Sequence, residues 1–287
     1  MIVDSQVHIW GADTPERPWP VPPAGLKAVP VHNNGIPFTQ EHVLGEMDAA
    51  GVGRAIIVPP SWEGDRNDLA LAAAAAYPGR FAVMGRLDIQ RSDARSQIRD
   101  WLKRPGMLGL RFALHTPLLE RPFVSGELDW VWREAEAAGV PVMILVPHRL
   151  MPSVARVAER HPGLKLVMDH LGLVHGKDEE AFADMGKLLE LAKYPNVAAK
   201  ASITPFFTTD AYPFRNLHEP LRRVFDAFGP RRMFWGSDLS RLPCPYRQGV
   251  TMFTEALPWL SGEDLDWVMG RGVCEWLGWP AVSTGAR

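Results

Sequence analysis

Gln6 and His8 stand two residues apart in an apolar stretch, Ile-Val-Asp-Ser-Gln-Val-His-Ile-Trp at positions 2–10. Side chains on a strand alternate faces, so this spacing aims both groups into the same space. With histidine at position 6 the pair would be a two-imidazole metal clamp; with glutamine it is an amide beside an imidazole. Further reactive groups lie at the ends of other apolar runs: Arg111, then His115; His148; Asp169 and His170, then His175; Lys200 and Ser202; Asp238, then Arg241. A carboxylate among imidazoles suits general acid–base work on water, and a guanidinium suits a substrate carboxylate held as a bidentate pair. Each residue also has a structural alternative. His8 would serve as a hydrogen-bonded core histidine, Asp169 as a cap or orienting group, and Arg111 as half of a salt bridge to a neighbouring strand-end acid. His115, His148 and His175 fall in loops, where solvation is the simpler reading. Asp238 follows a Trp-Gly-Ser turn after an apolar strand, where an acid without a partner or a task is costly.

The elements that must position these groups follow from the apolar runs. Strands are expected over 2–7, 54–59, 81–87, 107–114, 140–146, 164–168, 197–201 and 232–235. Helices are expected over 40–50, 67–77, 92–103, 128–138, 152–160, 179–193 and 217–228, with closing helices at 251–260 and 262–277. Thr39 reads as a helix N-cap and Gly51 as the stop. Eight strands alternating with helices predict parallel βαβ units closed by right-handed crossovers, a (β/α)8 TIM barrel forming a single domain over 1–287. A doubly wound open sheet is the alternative; no Gly-x-Gly-x-x-Gly follows any strand, which weakens its dinucleotide-binding form. In such a barrel the chemistry lies at the C-terminal ends of the strands, where the reactive side chains collect.

Composition narrows the function classes. The chain has 287 residues, 46% of them hydrophobic, and a formal net charge of −2 without basic runs. Nucleic-acid binding therefore has little support. No apolar stretch approaches the ~20 residues of a membrane helix, and the start does not read as a signal peptide. Cys244 and Cys274 form no CxxC pattern. A soluble, cytoplasmic enzyme is expected. The Pro-rich segment 15–37 is expected to lie over the barrel mouth, with Trp10, Trp19 and Trp62 available to line a pocket and 194–212 as a further wall. Trp259, Trp267, Trp276 and Trp279, if exposed, would make a homodimer plausible.

Four motifs in order, Asp4-Ser5-Gln6-Val7-His8-Ile9-Trp10, Gly109-Leu110-Arg111, Met168-Asp169-His170-Leu171-Gly172 and Trp235-Gly236-Ser237-Asp238, carry a resemblance over nearly the whole chain. The chain resembles the amidohydrolase-2 branch of the amidohydrolase superfamily, closest to its sugar-lactonase and pyrone-dicarboxylate-lactonase members. The resemblance implies a (β/α)8 barrel in which Asp238 is the general base on water or a metal ligand. It implies that His170 polarises a carbonyl or shuttles a proton, and that His8 is the second histidine of a His-x-His pair whose first is Gln6 here. His148 falls near a strand-five metal ligand. A single zinc or manganese ion held by His8, His148 and Asp238 is one expectation; a glutamine amide is a poor zinc ligand, so a metal-free reaction is the preferred one. The expected activity is hydrolysis of a carboxylate-bearing or sugar-derived lactone, or a related ester or amide. In it Asp238 activates water, His8 and His170 stabilise the oxyanion, and Arg111, Gln6 and Arg241 bind a small acid or lactone. A metal-dependent decarboxylase or hydratase of a small unsaturated acid, and a ligand-binding barrel without catalysis, are the alternatives.

Overall fold

Every expected apolar run forms a strand in the computed structural model, which describes residues 1–21, 25 and 30–280. They are β1 (Ile2–Val7), β2 (Val52–Ile57), β3 (Phe81–Gly85), β4 (Met107–Ala113), β5 (Val142–Leu145), β6 (Leu166–Met168), β7 (Val197–Ser202) and β8 (Met233–Gly236). Each pairs in parallel with the next, so the sheet order is the chain order. Helices cover the outside in the alternation that parallel strands require. The seam between β8 and β1 closes through Asp238 N–H donating to Gln6 O at 2.9 Å and Ser5 Oγ donating to Trp235 O at 2.6 Å. Gly236 permits that approach, since a Cβ there would sit 2.5 Å from Ser5 Oγ.

Strand alternation divides the side chains into two cores. Outward residues such as Val83, Leu110, Leu166 and Val197 pack beneath the helices in the larger apolar cluster. Inward residues Ile56, Ala82, Met84, Met143, Val167, Ala198 and Phe234 fill the barrel, with Val273, Leu277 and Trp279 in the same cluster. A register shift in β1 between Asp4 and Val7 leaves Val7 in the outer core while Val3 lies in the inner one. That shift turns Gln6 and His8 toward the barrel axis.

Several expected helices are broken. The span 179–193 holds Asp178–Phe182, Gly186–Leu189 and a 3₁₀ turn Glu190–Lys193. The helix expected at 251–260 begins earlier, Tyr246–Thr251 continuing as a π-turn Met252–Ala256, and Pro258 lies beyond its end. Thr39 does cap its helix, accepting from His42 N–H, and Gly51 closes it at φ 77°. Trp267 and Trp279 are buried and Trp259 and Trp276 partly buried, so these tryptophans do not make the exposed surface on which a homodimer was expected. No helix of the described residues is long and apolar enough to cross a membrane. Of the Pro-rich segment 15–37, positions 22–24 and 26–29 lie outside the described residues, as do 281–287 of the expected domain.

Candidate active site

Above the apolar layer the same inward register turns polar. Arg86 lies two residues past Met84, Asp169 two past Val167, Lys200 two past Ala198 and Asp238 four past Phe234. Gln6, Lys200 and Asp238 have no exposure, His170 has 3% and His8 has 6%. Left-handed backbone marks three of the four strand ends that carry these groups: His170 (φ 53°), Leu171 (φ 55°), Ile203 (φ 55°) and Asp238 (φ 52°). For non-glycine residues, and a β-branched one above all, this conformation costs free energy and concentrates at functional sites.

The polar groups form one buried chain. Arg111 Nε donates to Asp169 Oδ2 at 3.0 Å, and Lys200 Nζ lies 2.6 Å from Asp169 Oδ1. Lys200 Nζ also donates to Gln6 Oε1 at 2.5 Å. With its oxygen on the ammonium, Gln6 turns its NH2 inward, and Nε2 lies 3.4 Å from both His8 Nε2 and His170 Nε2. On their far sides, His8 Nδ1 lies 2.5 Å from Val58 O and His170 Nδ1 lies 2.7 Å from Ser202 Oγ. A carbonyl only accepts, so His8 carries its proton on Nδ1.

Asp238 is the least satisfied group of this network. His8 Nε2 stands 3.0 Å from its Oδ1, with His170 Nε2 at 3.8 Å and Arg241 Nη1 at 3.7 Å from Oδ2. Neither oxygen has an aligned hydrogen bond among the described residues. Burial raises the Asp238 carboxyl, but His8, His170 and Arg241 outweigh it and hold the group well below the usual range. Burial pushes His170 down to about 3, aided by Lys200 and Arg111, so its imidazole is neutral. Asp169 is opposed by burial yet held at about 2 by Lys200 and Arg111. An ionised, weakly bonded carboxylate beside neutral imidazole is equipped to take a proton from water.

The sequence expectations meet this geometry unevenly. His8, His170, Asp238, Gln6 and Arg241 are brought together. Arg111 Nε is taken by Asp169, the salt-bridge alternative to a role on a substrate carboxylate. Its two terminal nitrogens still make no hydrogen bond among the described residues. His148 does not join the cluster: its Nε2–H donates to Leu171 O at 2.9 Å, and the charges it senses are Asp184 and Lys187. The expected ligand set of His8, His148 and Asp238 is therefore not assembled, and no group of three or more His, Cys, Asp or Glu among the described residues is arranged to hold a metal ion. The donor set gives the reason. Gln6 directs hydrogens rather than lone pairs between the imidazoles, with the Lys200 ammonium behind it, and neither attracts a cation. His175 is exposed and His115 half-buried against Leu145 O.

Two residues escaped the sequence reading. His32, in a short turn of the Pro-rich segment, bonds Ser240 Oγ at 2.8 Å, and its ring lies 4.5 Å from Trp62 and 5.6 Å from His8. Burial, with His8 and Arg241, pushes it down to about 4, so a neutral imidazole covers the site. No periodicity marks that segment. Arg86 has Nε and Nη1 buried without a hydrogen bond, its Nε 3.3 Å from Asp65 Oδ1. Burial and the nearby Arg111 push it down to about 10. Carrying the inward register of 81–87 one position further would have found it.

The chain has relatives that share most of its length. It is 30% identical over 258 residues to an L-fucono-1,5-lactonase of Burkholderia ambifaria, covering 84% of this chain and 81% of that one. An L-fucono-1,5-lactonase of Burkholderia multivorans is 26% identical over 253 residues, covering 82% and 81%. A crystal structure of an amidohydrolase from Burkholderia multivorans, with bound zinc, superposes with a TM-score of 0.78 at 23% identity, over 98% of this chain and all of that one (100%). The family model described as amidohydrolase matches residues 3–279, and the chain belongs to that family.

Proposed function

We propose that this protein hydrolyses a lactone, with Asp238 as the general base. The observation that carries the reading is a fully buried carboxylate at the C-terminal end of the barrel, without an aligned hydrogen bond and flanked by two imidazoles. The curated relatives named for lactone hydrolysis support it. In the reaction Asp238 takes a proton from water as the water oxygen bonds to the carbonyl carbon and the carbonyl electron pair moves onto its oxygen. His8 Nε2, bare because its proton sits on Nδ1, stands 3.0 Å from Asp238 Oδ1 and takes up the proton that Asp238 removed, so the imidazolium formed faces the developing oxyanion as a donor. Collapse restores the carbonyl and breaks the ring C–O bond. The ring oxygen leaves with the proton held between Asp238 and His8, and the product is one hydroxy acid. No step needs a metal, consistent with the inward amide of Gln6.

The substrate in this reading carries a carboxylate. Arg86 holds two buried nitrogens without hydrogen bonds, and Arg111 keeps its terminal nitrogens free of them among the described residues. Guanidinium groups so placed are suited to a bidentate anion. The cluster is buried, with His32 beside His8 and Arg241 beside Asp238, so in this reading side chains at the barrel mouth move to admit the substrate.

A pH-indicator assay over sugar 1,5-lactones and carboxylated lactones, after exhaustive dialysis against chelator, tests the proposal. One proton is expected per ring opened. Asp238→Asn is expected to lower kcat by about 10²–10⁴-fold with little change in binding. Failure to open any lactone, or release of carbon dioxide from an unsaturated acid, overturns it. Turnover that vanishes with chelator and returns with zinc or manganese overturns its metal-free form.

A further inference from the structure

Lys200 has no place in the reaction above, yet it is the only lysine among the fully buried large side chains of the described residues. An ammonium with no exposure is costly and needs a use or full compensation. Asp169 at 2.6 Å compensates its charge, but Arg111 already serves Asp169 from the other side. The remaining directed contact is to Gln6 Oε1. An amide has two chemically opposite ends, and coordinates alone do not distinguish them; an ammonium at hydrogen-bond distance does, because it can only meet the oxygen.

The consequence falls on His170. With Gln6 oxygen on Lys200, the amide hydrogens face His170 Nε2 at 3.4 Å. A proton on Nε2 would then meet another N–H, so Nε2 stays bare and the proton sits on Nδ1, directed at Ser202 Oγ at 2.7 Å. We infer that Lys200 is a positioning residue: through Gln6 it locks His170 as the Nδ1–H tautomer, making Nε2 an acceptor that orients the attacking water together with Asp238. This rests on the lactone-hydrolase reading and reassigns His170 within it, from a donor that stabilises the oxyanion to an acceptor. The separation of 3.8 Å between His170 Nε2 and Asp238 Oδ2 suits two acceptors sharing the hydrogens of one water. Such a water presents its lone pair away from both, toward the carbonyl carbon. The contact from Gln6 is at the long limit of hydrogen bonding and yields to a better donor.

Imidazole ¹⁵N NMR of the full chain, with the His170 signal assigned by its loss in His170→Asn, tests the tautomer without any substrate. The wild type is expected to show His170 with a bare Nε2 and a protonated Nδ1. In Gln6→Glu, one carboxylate oxygen stays on Lys200 and the other faces Nε2, so the proton is expected to move to Nε2. Lys200→Met frees the amide and is expected to give mixed tautomers; Gln6→Glu serves where that variant fails to fold, because it keeps Lys200 paired. Kinetics on a lactone the wild type opens are expected to show kcat lowered by about 10²-fold or more in Gln6→Glu, with KM within about twofold. A wild-type His170 protonated on Nε2, or a Gln6→Glu protein with the wild-type tautomer or undiminished kcat, overturns the inference. A correct tautomer in a protein that opens no lactone leaves the lock standing and sinks the functional reading alone.

Discussion

Asp4 on β1 and Asp238 just past the end of the adjoining β8 are two fully buried carboxylates, and their surroundings are opposite. Asp4 accepts from Gln6 N–H and Ser237 N–H at 2.9 Å each, from Tyr246 Oη–H at 2.7 Å, and from the Ser237 hydroxyl. Asp238 has no aligned hydrogen bond on either oxygen, only imidazoles and a guanidinium nearby. A buried polar group is ordinarily satisfied, and a satisfied acceptor has little left for chemistry. Asp4 therefore fastens β8 to β1, whereas Asp238 is held charged, 3.0 Å from His8 but without an aligned hydrogen bond. Both belong to the motifs that carry the family resemblance, so motif membership does not separate a joint of the barrel from the group proposed to react. Hydrogen-bond saturation does.

The sharpest way to break this contrast is to neutralise each acid. Asp238→Asn is expected to lose about 10²–10⁴-fold in kcat while its urea midpoint falls by less than in Asp4→Ala, because the attraction of His8, His170 and Arg241 is lost but no aligned hydrogen bond is. Asp4→Ala is expected to do the reverse. It strands four donors at the seam and should cost about 3–5 kcal/mol of stability, with kcat per folded molecule within a few-fold of wild type. Equal stability losses in the two variants, read from urea unfolding, would erase the distinction.

The fold was legible because its signals are local and repetitive. All eight strands lie where apolar runs bounded by turns place them, and alternation alone identifies the inward faces of β3, β7 and β8. Helix continuity was less so: 179–193 has good helical composition yet breaks near Ala183, where tertiary packing overrides propensity. The site was legible in its residue types but not in its pairings. Sequence placed Arg111, Asp169 and Lys200 at strand ends; only three-dimensional contact makes Asp169 the shared partner of both cations. His148 occupies the expected position along the chain, but its ring turns to Leu171 O, beneath Gly172. A Cβ at Gly172 would stand 2.9 Å from His148 Cδ2, so the glycine and the turned ring go together. His32 comes from a segment with no periodicity at all, where neither strand nor helix patterning could place it.

The same distinction between satisfied and unsatisfied groups separates the buried Arg111 from the partly buried Arg86. Arg111 is hydrogen-bonded to the buried Asp169, whereas Arg86 has only Asp65 3.3 Å away and two nitrogens without a hydrogen bond. Arg86→Met is expected to leave stability unchanged or slightly raised, and to raise KM about tenfold for a carboxylated lactone but not for an uncharged sugar lactone. Arg111→Met is expected to raise KM as well and also to lower stability, by roughly 2–4 kcal/mol, because Asp169 loses a partner. Unchanged KM for both classes of lactone in Arg86→Met would remove the carboxylate from the proposed substrate.

Acid titration sharpens the comparison on a smaller scale. The His170 imidazole takes a proton at about 6.5 when unfolded and only near 3 when folded, so protons favour the unfolded chain and stability falls as pH drops through that window. Asp169, at about 2 when folded, adds a loss of the same sign between pH 3.8 and 2. Asp4 acts the other way. Burial raises its carboxyl, so its contribution is greatest below about pH 3.8 and declines as pH rises. Unfolding free energies from urea titrations between pH 6.5 and 4.5 are expected to fall in the wild type by up to about 1.4 kcal/mol per pH unit, and His170→Asn should flatten that slope. An identical slope in the variant would mean that His170 is not the buried neutral group on which the reading of the site depends.

The smallest expected effect tests the saturated carboxylate from its edge. Tyr246→Phe removes one donor from Asp4 Oδ2 while the Ser237 hydroxyl still serves that oxygen. The ring keeps its packing against Trp235, 6.3 Å between centroids, so almost nothing but a hydrogen bond is lost. The expected cost is about 1 kcal/mol by urea unfolding, with kcat and KM unchanged, because a carboxylate with three donors left is still a joint. If Tyr246→Phe instead lowers kcat by tenfold or more at full stability, then strain at the β8–β1 seam reaches Asp238 through the Asp238 N–H to Gln6 O bond, and the joint and the reacting group act as one unit.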